Sequence, residues 1–325
     1  MLSEQMRDII KYFEDNNISF QENIDLKTKT WIKRGGITKL WIQPEKLSDF
    51  EKIIVFLQQQ NIDFEVIGNA SNCYFLNTYH PNIVISTLKL QKIQVFDKEI
   101  ICDCGYQMSK LARLCNIEGF AGYEGFVGLP GTISGAVVNN SGCYGSLISE
   151  VVKEIKIILQ GKINTLTNAE LKYSNRTSIL KTKEVQGVIL SVTFDIIRKE
   201  NPDLLQRKSE KYQKHRKTFQ EHIYPNLGTT FCKLDFKYSF LQFFIKKSFN
   251  LIVKIFVKDD LKRQYNSLKI FLLVFETRKF RKYVSKHGIQ CFTWKDEGAD
   301  EAFLKYVEFI EKNTTKAIME IEIKG

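Results

Sequence analysis

Two glycine-bearing segments carry the chemistry most legible in this chain. The first is Gly68-Asn69-Ala70-Ser71-Asn72, directly after the apolar run Phe64-Glu65-Val66-Ile67. Small residues at a strand-to-loop turn leave successive backbone N–H groups open to an anion, so such a turn can cradle a phosphate. The second spans Glu124 to Gly145 and reads E-G-F-V-G-L-P-G-T-I-S-G-A-V-V-N-N-S-G-C-Y-G. Residues 119–145 hold eight of the 18 glycines of the protein. Glycine allows a ligand to approach the backbone closely, so this cluster in a glycine-poor chain points to a ligand site. Neither segment matches G-x-G-x-x-G or G-x-x-x-x-G-K-[ST], so the usual dinucleotide and P-loop fingerprints are absent.

Other chemistries find little support. The four histidines form no constellation, so neither a metal site nor a Ser–His–Asp triad is expected. The seven cysteines are odd in number and lack a CxxC pair, which argues against a zinc site or a disulfide framework and for a reducing compartment. A net charge of +11 favours anionic partners, whether phosphorylated small molecules, nucleic acid or acidic lipid, without choosing among them. No nucleic-acid recognition motif is present. With 43% hydrophobic residues among 325, disorder is excluded and two or three domains are expected. The first residues read as a polar helix rather than a signal peptide, and no apolar run is long enough to span a bilayer. A cytoplasmic monomer without integral membrane association is the expectation.

The elements that must position these segments follow from periodicity. Leu40–Pro44 reads as a short strand. A helix follows, with Ser48 and Glu51 as a capping box and Phe50, Ile53, Ile54 and Leu57 on its apolar face. Strands are expected at 82–87, 92–96 and 99–105, then a short helix burying Met108, Leu111, Ala112 and Cys115. Strands resume at 152–159, turn at Gly161-Lys162 and return through 163–167. In 185–197, Val188, Leu190, Val192 and Phe194 alternate onto one face. The charged segment 198–217 reads as a linker leading into a helix, with a domain boundary near 200–206. A last helix near 301–312 carries Phe303, Val307 and Ile310, and the chain closes in a strand where Glu320 and Glu322 share a face.

Taken together, Gly68–Asn72 and residues 124–145 resemble the UDP-N-acetylenolpyruvoylglucosamine reductase family, flavoenzymes of peptidoglycan precursor synthesis. That family is known by a G-x-G-S-N turn and a G-x-P-G-T-x-G-G-A-x-x-x-N-x-G-x-Y-G stretch. Here Ala70 replaces the second glycine of the turn and Ser134 the first of the paired glycines. The resemblance implies an α+β fold of the vanillyl-alcohol-oxidase/PCMH type with a smaller α/β substrate domain. It implies non-covalent FAD, its pyrophosphate against Gly68, Asn69, Ala70, Ser71 and Asn72, with Gly131, Thr132 and Gly135 nearby. NADPH would be the co-substrate and a UDP-sugar the substrate.

Further along, Tyr173–Ser178 resembles the family's Tyr-Arg-x-Ser, with Asn175 in place of the tyrosine. The resemblance makes Arg176 the residue that stabilises an enolate-like intermediate, a task suited to a permanently charged fork of donors. Gly228-Thr229-Thr230-Phe231 resembles Gly-Ser-x-Phe, so Thr229 stands where a serine donates the proton. Glu322 matches the second glutamate of a closing Glu-x-Glu that assists protonation. Lys217 and Asn140 are the positions implied for NADPH or substrate, and Val284-Ser285-Lys286-His287 echoes a family Ser-x-x-His element.

The implied organisation is an N-terminal FAD subdomain at 1–66 joined by the C-terminal strand 313–325, a second FAD subdomain at 67–206 and a substrate domain at 207–312. The resemblance lapses between 234 and 283, where the chain is basic and aromatic with no Pro or Gly until Gly288. A variant core with solvated lysines is expected there, an amphipathic face for lipid or a partner being the alternative. Two other functions stay open: a diverged flavin oxidoreductase acting on another nucleotide sugar, and a catalytically silent FAD-binding protein.

Overall fold

The computed structural model describes residues 4–275 and 277–325. The chain divides into two compact units, one taking in the chain up to Thr30, Gly35–Ser71 and Asn77–Gln213, the other Trp31–Arg34, Asn72–Leu76 and Lys214–Gly325.

Among the described residues the first unit holds two larger sheets and a short antiparallel pair, Gly142–Cys143 with Ser146–Leu147. One has four strands in the order Phe20–Asp25, Ile37–Ile42, Ile83–Ser86, Glu65–Ile67; the first pair is antiparallel and the rest parallel. The helix Leu47–Gln59 supplies the crossover between parallel strands and buries Phe50, Ile53, Ile54 and Leu57, the i, i+3, i+4, i+7 stripe. The expected capping box does not form. Lys46 is the N-cap and makes no side-chain capping bond, and Ser48 lies inside the first turn. The N-terminal helix Glu4–Asp15 is amphipathic rather than polar throughout. It buries Met6, Ile9 and Phe13, and Tyr12 stacks on Phe56 with centroids 3.6 Å apart.

The second sheet is antiparallel, in the order Lys162–Thr167, Val152–Leu159, Val188–Asp195, Glu99–Asp103, Ile93–Val95. Val188–Asp195 departs from the alternation expected of it. Every residue from Ile189 to Phe194 is buried, Ser191 and Thr193 included. It is the middle strand, and helices Leu47–Gln59 and Ile133–Val138 both contact it, so burial stops reporting the strand's period.

The second unit packs around aromatic rings. Phe231–Phe236 pairs antiparallel with Thr314–Met319, and Glu322–Lys324 pairs in parallel with Cys73–Phe75. The chain's end thus pairs here and not in the sheet of residues 20–86. The single closing strand is interrupted at Glu320-Ile321, so Glu320 lies outside any strand and the face shared with Glu322 is lost. Helix Ala299–Asn313 buries Phe303, Tyr306 and Ile310 against Tyr74, Phe292 and Trp294. Phe303 meets Tyr74, Phe292 and Trp294 at 5.0–5.1 Å, spacings at which tilted and edge-on rings attract.

The stretch expected to be a linker is instead helical from Pro202 to Phe219. Its first half is anchored: Asn116 Nδ2 donates to Ser209 Oγ at 2.6 Å and Ser209 Oγ to the Glu124 carbonyl at 3.1 Å. The unit boundary accordingly falls inside this helix, after Gln213. The divergent segment forms two helices, Phe240–Phe256 and Asp260–Val274. Only part of it is core. Leu268, Phe271 and Phe275 are buried, whereas the large apolar residues of Phe240–Phe256 other than Val253 and Phe249 stand exposed. The variant-core expectation therefore fails for the first of the two helices. Among the described residues no helix is long and apolar enough to cross a membrane, and no group of His, Cys, Asp or Glu could hold a metal ion.

Candidate functional site

At the end of strand Glu65–Ile67 the chain turns through Gly68. A Cβ on Gly68 would lie 2.4 Å from Thr132 Oγ1 and 2.7 Å from Thr132 Cγ2, so only a hydrogen fits. Asn69 Nδ2 donates to the Pro130 carbonyl at 2.8 Å, tying the turn to the glycine-rich segment a second time. Ala70 sits in the left-handed region at φ 49°, a conformation that costs an L-residue roughly 1 kcal/mol and that glycine adopts freely. The substitution of glycine by alanine there is therefore tolerated rather than neutral. The backbone N–H groups of Asn69, Ala70 and Ser71 donate to no acceptor among the described residues. Across from them, a Cβ on Gly131 would be 3.7 Å from Ser71 Oγ. Thr132 caps the short helix Ile133–Val138, its Oγ1 accepting from the Gly135 N–H at 3.4 Å. The structure thus brings Gly68, Asn69, Ala70 and Ser71 together with Gly131, Thr132 and Gly135. This is a cradle of backbone and hydroxyls without an acidic side chain, which suits a pyrophosphate.

Arg176 lies in the same unit, on a tight turn closed by reciprocal bonds between Ser174 and Thr177 at 3.0 and 3.2 Å. It too has positive φ, 57°. Its guanidinium runs over Gly142, where a Cβ would be 3.1 Å from Nη1. Three contacts brace this turn. Asn140, only 3% exposed, donates from Nδ2 to the Ser174 carbonyl at 2.8 Å and accepts from the Ser149 N–H at 3.1 Å. Ser178 Oγ donates to the Val138 carbonyl at 2.7 Å. Tyr144 stacks on Tyr212 at 4.8 Å, pinning the loop that carries Gly142. Both polar ends of Asn140 are engaged with backbone, so what it does here is hold the turn of Arg176. Tyr173 opens the Tyr173–Ser178 motif, in which the sequence gave it no role of its own. Its hydroxyl is buried without a hydrogen-bond partner, and burial pushes the phenol well up.

The second unit gathers Thr229, Asn72 and Glu322. The Thr230 carbonyl accepts from the Glu320 N–H at 2.9 Å, Asn72 Nδ2 donates to the Glu320 carbonyl at 2.9 Å, and the Glu322 N–H donates to the Asn72 carbonyl at 2.9 Å. Asn72 is therefore a clasp on the backbone before Glu322. Thr229 follows Gly228 at φ 74° and is exposed, with its hydroxyl outside the core. The Glu322 carboxylate lies 3.5 Å from Lys324 Nζ. Lys217 is exposed in the last turn of Pro202–Phe219.

One cluster of the second unit was half legible in the sequence: Ser285 and His287 lie in the stretch that echoes a family element, whereas Glu221, 64 residues before Ser285, had no signal. Glu221 accepts from Ser285 Oγ at 2.9 Å and from the Ile223 and Tyr224 N–H groups. Burial alone would raise the Glu221 carboxyl, but these bonds outweigh it and hold it below the usual carboxylate range. Burial lowers His287 against the opposing pull of Glu221. A depressed histidine is protonated more readily in the unfolded chain, so its contribution is present above about pH 6.5 and is lost as pH falls toward the folded value. The depressed Glu221 adds a loss at lower pH, beginning near the ordinary carboxylate range. Melting temperature is thus expected to decline from pH 7.5 to 5.5, and His287→Gln to flatten that decline. An unchanged slope in the variant would remove His287 from the account.

Comparison with known proteins fits this geometry. The FAD binding domain family matches residues 38–166, which take in both walls of the cradle. The chain is 32% identical over 213 residues to a UDP-N-acetylenolpyruvoylglucosamine reductase of Anoxybacillus flavithermus, covering 65% of this chain and 70% of that protein. It is 30% identical over 210 residues to a protein of the same name from Caldanaerobacter subterraneus, covering 64% and 68%. The crystal structure of UDP-N-acetylenolpyruvylglucosamine reductase (MurB) from Thermus caldophilus superposes with a TM-score of 0.65 at 15% identity, over 95% of this chain and 99% of that one. The α+β FAD-binding fold expected from the sequence is borne out.

Proposed function

We propose, from the premise that this chain belongs to the UDP-N-acetylenolpyruvoylglucosamine reductase family, that it reduces UDP-N-acetylenolpyruvoylglucosamine to UDP-N-acetylmuramate with NADPH, for peptidoglycan precursor synthesis. Membership in that family makes it an FAD-dependent oxidoreductase. The observation that carries the reading is the cradle of Gly68–Ser71 against Gly131–Thr132, whose open N–H groups and missing side chains fit the pyrophosphate of FAD.

The chemistry a bound FAD supplies is hydride transfer from NADPH to the enolpyruvyl double bond. The residues of the chain do the rest. Asn69–Ser71 and Thr132 would hold the FAD pyrophosphate by backbone N–H and hydroxyl groups. Hydride arriving at one vinyl carbon leaves an electron pair on the other, spread onto the adjacent carboxylate. The Arg176 guanidinium, always charged, stabilises that negative charge. The Thr229 hydroxyl delivers a proton to the carbanionic carbon, completing addition of H⁻ and H⁺, and Glu322 assists that delivery.

Thr229 carries this assignment most sharply, since the family has serine there. Thr229→Ser should hold turnover within a few-fold, because the hydroxyl is kept and one methyl is lost. Thr229→Ala should slow turnover by about a hundredfold, the usual worth of a positioned acid. An alanine variant as fast as the parent would mean another group donates the proton. The whole reading is tested by spectrum. Purified protein should show bound flavin, bleach on anaerobic NADPH and regain colour on addition of UDP-N-acetylenolpyruvoylglucosamine. Bleaching without recovery, but with recovery on another UDP-sugar, would assign the chain to a different nucleotide sugar. Flavin that never bleaches would leave a silent FAD-binding protein.

A further inference from the structure

The helix Phe240–Phe256 is amphipathic with its apolar side turned outward. At about 100° per residue, Phe240, Leu241, Phe244, Leu251, Ile255 and Phe256 fall within an arc of about 160°, with Ser248 the polar residue in it. They stand exposed: Phe240 is 81% exposed, Phe256 78% and Leu251 61%. The inward side is the more polar one. There Gln242 Nε2 donates to the Val274 carbonyl at 3.4 Å and Ser267 Oγ donates to Asn250 Oδ1 at 2.9 Å. Lys246 packs its ammonium 4.2 Å from the Tyr238 ring centre and 2.6 Å from its hydroxyl, and Val253 is the buried apolar contact. The helix is also well made. Ser239 and Gln242 close a reciprocal capping box, so the outward face belongs to a defined element.

Charge says what covers this face. Residues 237–275 carry eight Lys or Arg against two Asp, more than half of the protein's net +11, and Phe240–Phe256 itself has no acid. Lys247 and Lys254 are exposed along one edge of the apolar arc. A second copy of the same helix would bring like charges together. An apolar stripe edged by lysines fits an anionic lipid surface, where aliphatic and aromatic groups enter the acyl boundary and ammonium groups meet the headgroups. At 17 residues the helix is about 25 Å long, so it lies along the surface and does not cross it.

We propose that Phe240–Phe256 docks this protein reversibly on an anionic membrane surface through its outward apolar face. The proposal rests on this helix alone and not on the catalytic reading. Flotation with vesicles tests it, using phosphatidylcholine mixed with phosphatidylglycerol against phosphatidylcholine alone. The protein should float with the anionic vesicles and not with the neutral ones. Lys247→Glu with Lys254→Glu should weaken flotation by about tenfold or more. Phe244→Ser, Leu251→Ser and Ile255→Ser together should abolish it, with flavin content and melting temperature unchanged in both variants. Absence of flotation, equal flotation with both vesicles, or undiminished flotation of the triple-serine variant would each overturn the proposal. So would a dimer in sedimentation equilibrium that the triple-serine variant dissociates, if the protein does not float.

Discussion

Arg176→Ala should slow reoxidation of the NADPH-reduced protein by the proposed substrate, UDP-N-acetylenolpyruvoylglucosamine, by about a hundred- to a thousandfold, while flavin content and flavin reduction by NADPH stay as they are. The magnitude is that of removing one preorganised charged donor from a developing anion. The asymmetry between the two half-reactions is the informative part, since a variant damaged in its fold would lose both. The bracing explains why the arginine is so placed. Its turn is closed by Ser174 and Thr177, clasped by Asn140 and tied down by Ser178. The positive φ of Arg176 is held by these contacts rather than by its own preference. Arg176→Lys should recover part of the rate, because the charge returns but the planar fork does not. Rapid-mixing spectroscopy of the two half-reactions reads all of this. Reoxidation of the alanine variant within a few-fold of the parent would take Arg176 out of the chemistry.

Gly68→Ala should yield colourless protein that does not reconstitute with FAD. The added methyl would sit 2.4 Å from Thr132 Oγ1 and 2.7 Å from Thr132 Cγ2, far inside contact distance, with Thr132 itself fixed as a helix cap. Relief requires the Gly68 turn and the 131–135 segment to part, and the two walls of the cradle are those segments. The same reasoning predicts a partial rescue. With Thr132→Ala added, both clashing atoms are gone and the nearest remaining contact is Cβ at 3.1 Å, while the lost cap costs about 1 kcal/mol. The double variant should regain flavin, more weakly held than in the parent. Flavin content after gel filtration, alongside the melting temperature, decides it: a Gly68→Ala protein that keeps its full flavin would sink the cradle.

Local sequence went a long way toward this protein. The Gly68–Ser71 turn and the 124–145 stretch were legible because a backbone cradle is written in residue type: only small residues leave N–H groups and space free. The helix Leu47–Gln59 was legible because its stripe has the helical period and one dry side. Arg176, Thr229 and Glu322 were identified by likeness to a family pattern, and their proposed roles come from that likeness. Other features depended on contacts between distant segments, to which local pattern is blind. The strand Val188–Asp195 is dry on both faces because helices from elsewhere in the chain contact it, so its alternation told only half of its burial. The closing strand breaks at Glu320 because Thr230 and Asn72 claim its backbone. The Glu221–Ser285 pair joins residues 64 apart and has no local trace. Composition alone marked the segment that forms Phe240–Phe256 as basic and aromatic. Which side faces water was decided only by packing, since Gln242, Lys246 and Asn250 found partners inside while Phe240, Phe243, Phe244 and Phe256 stayed exposed.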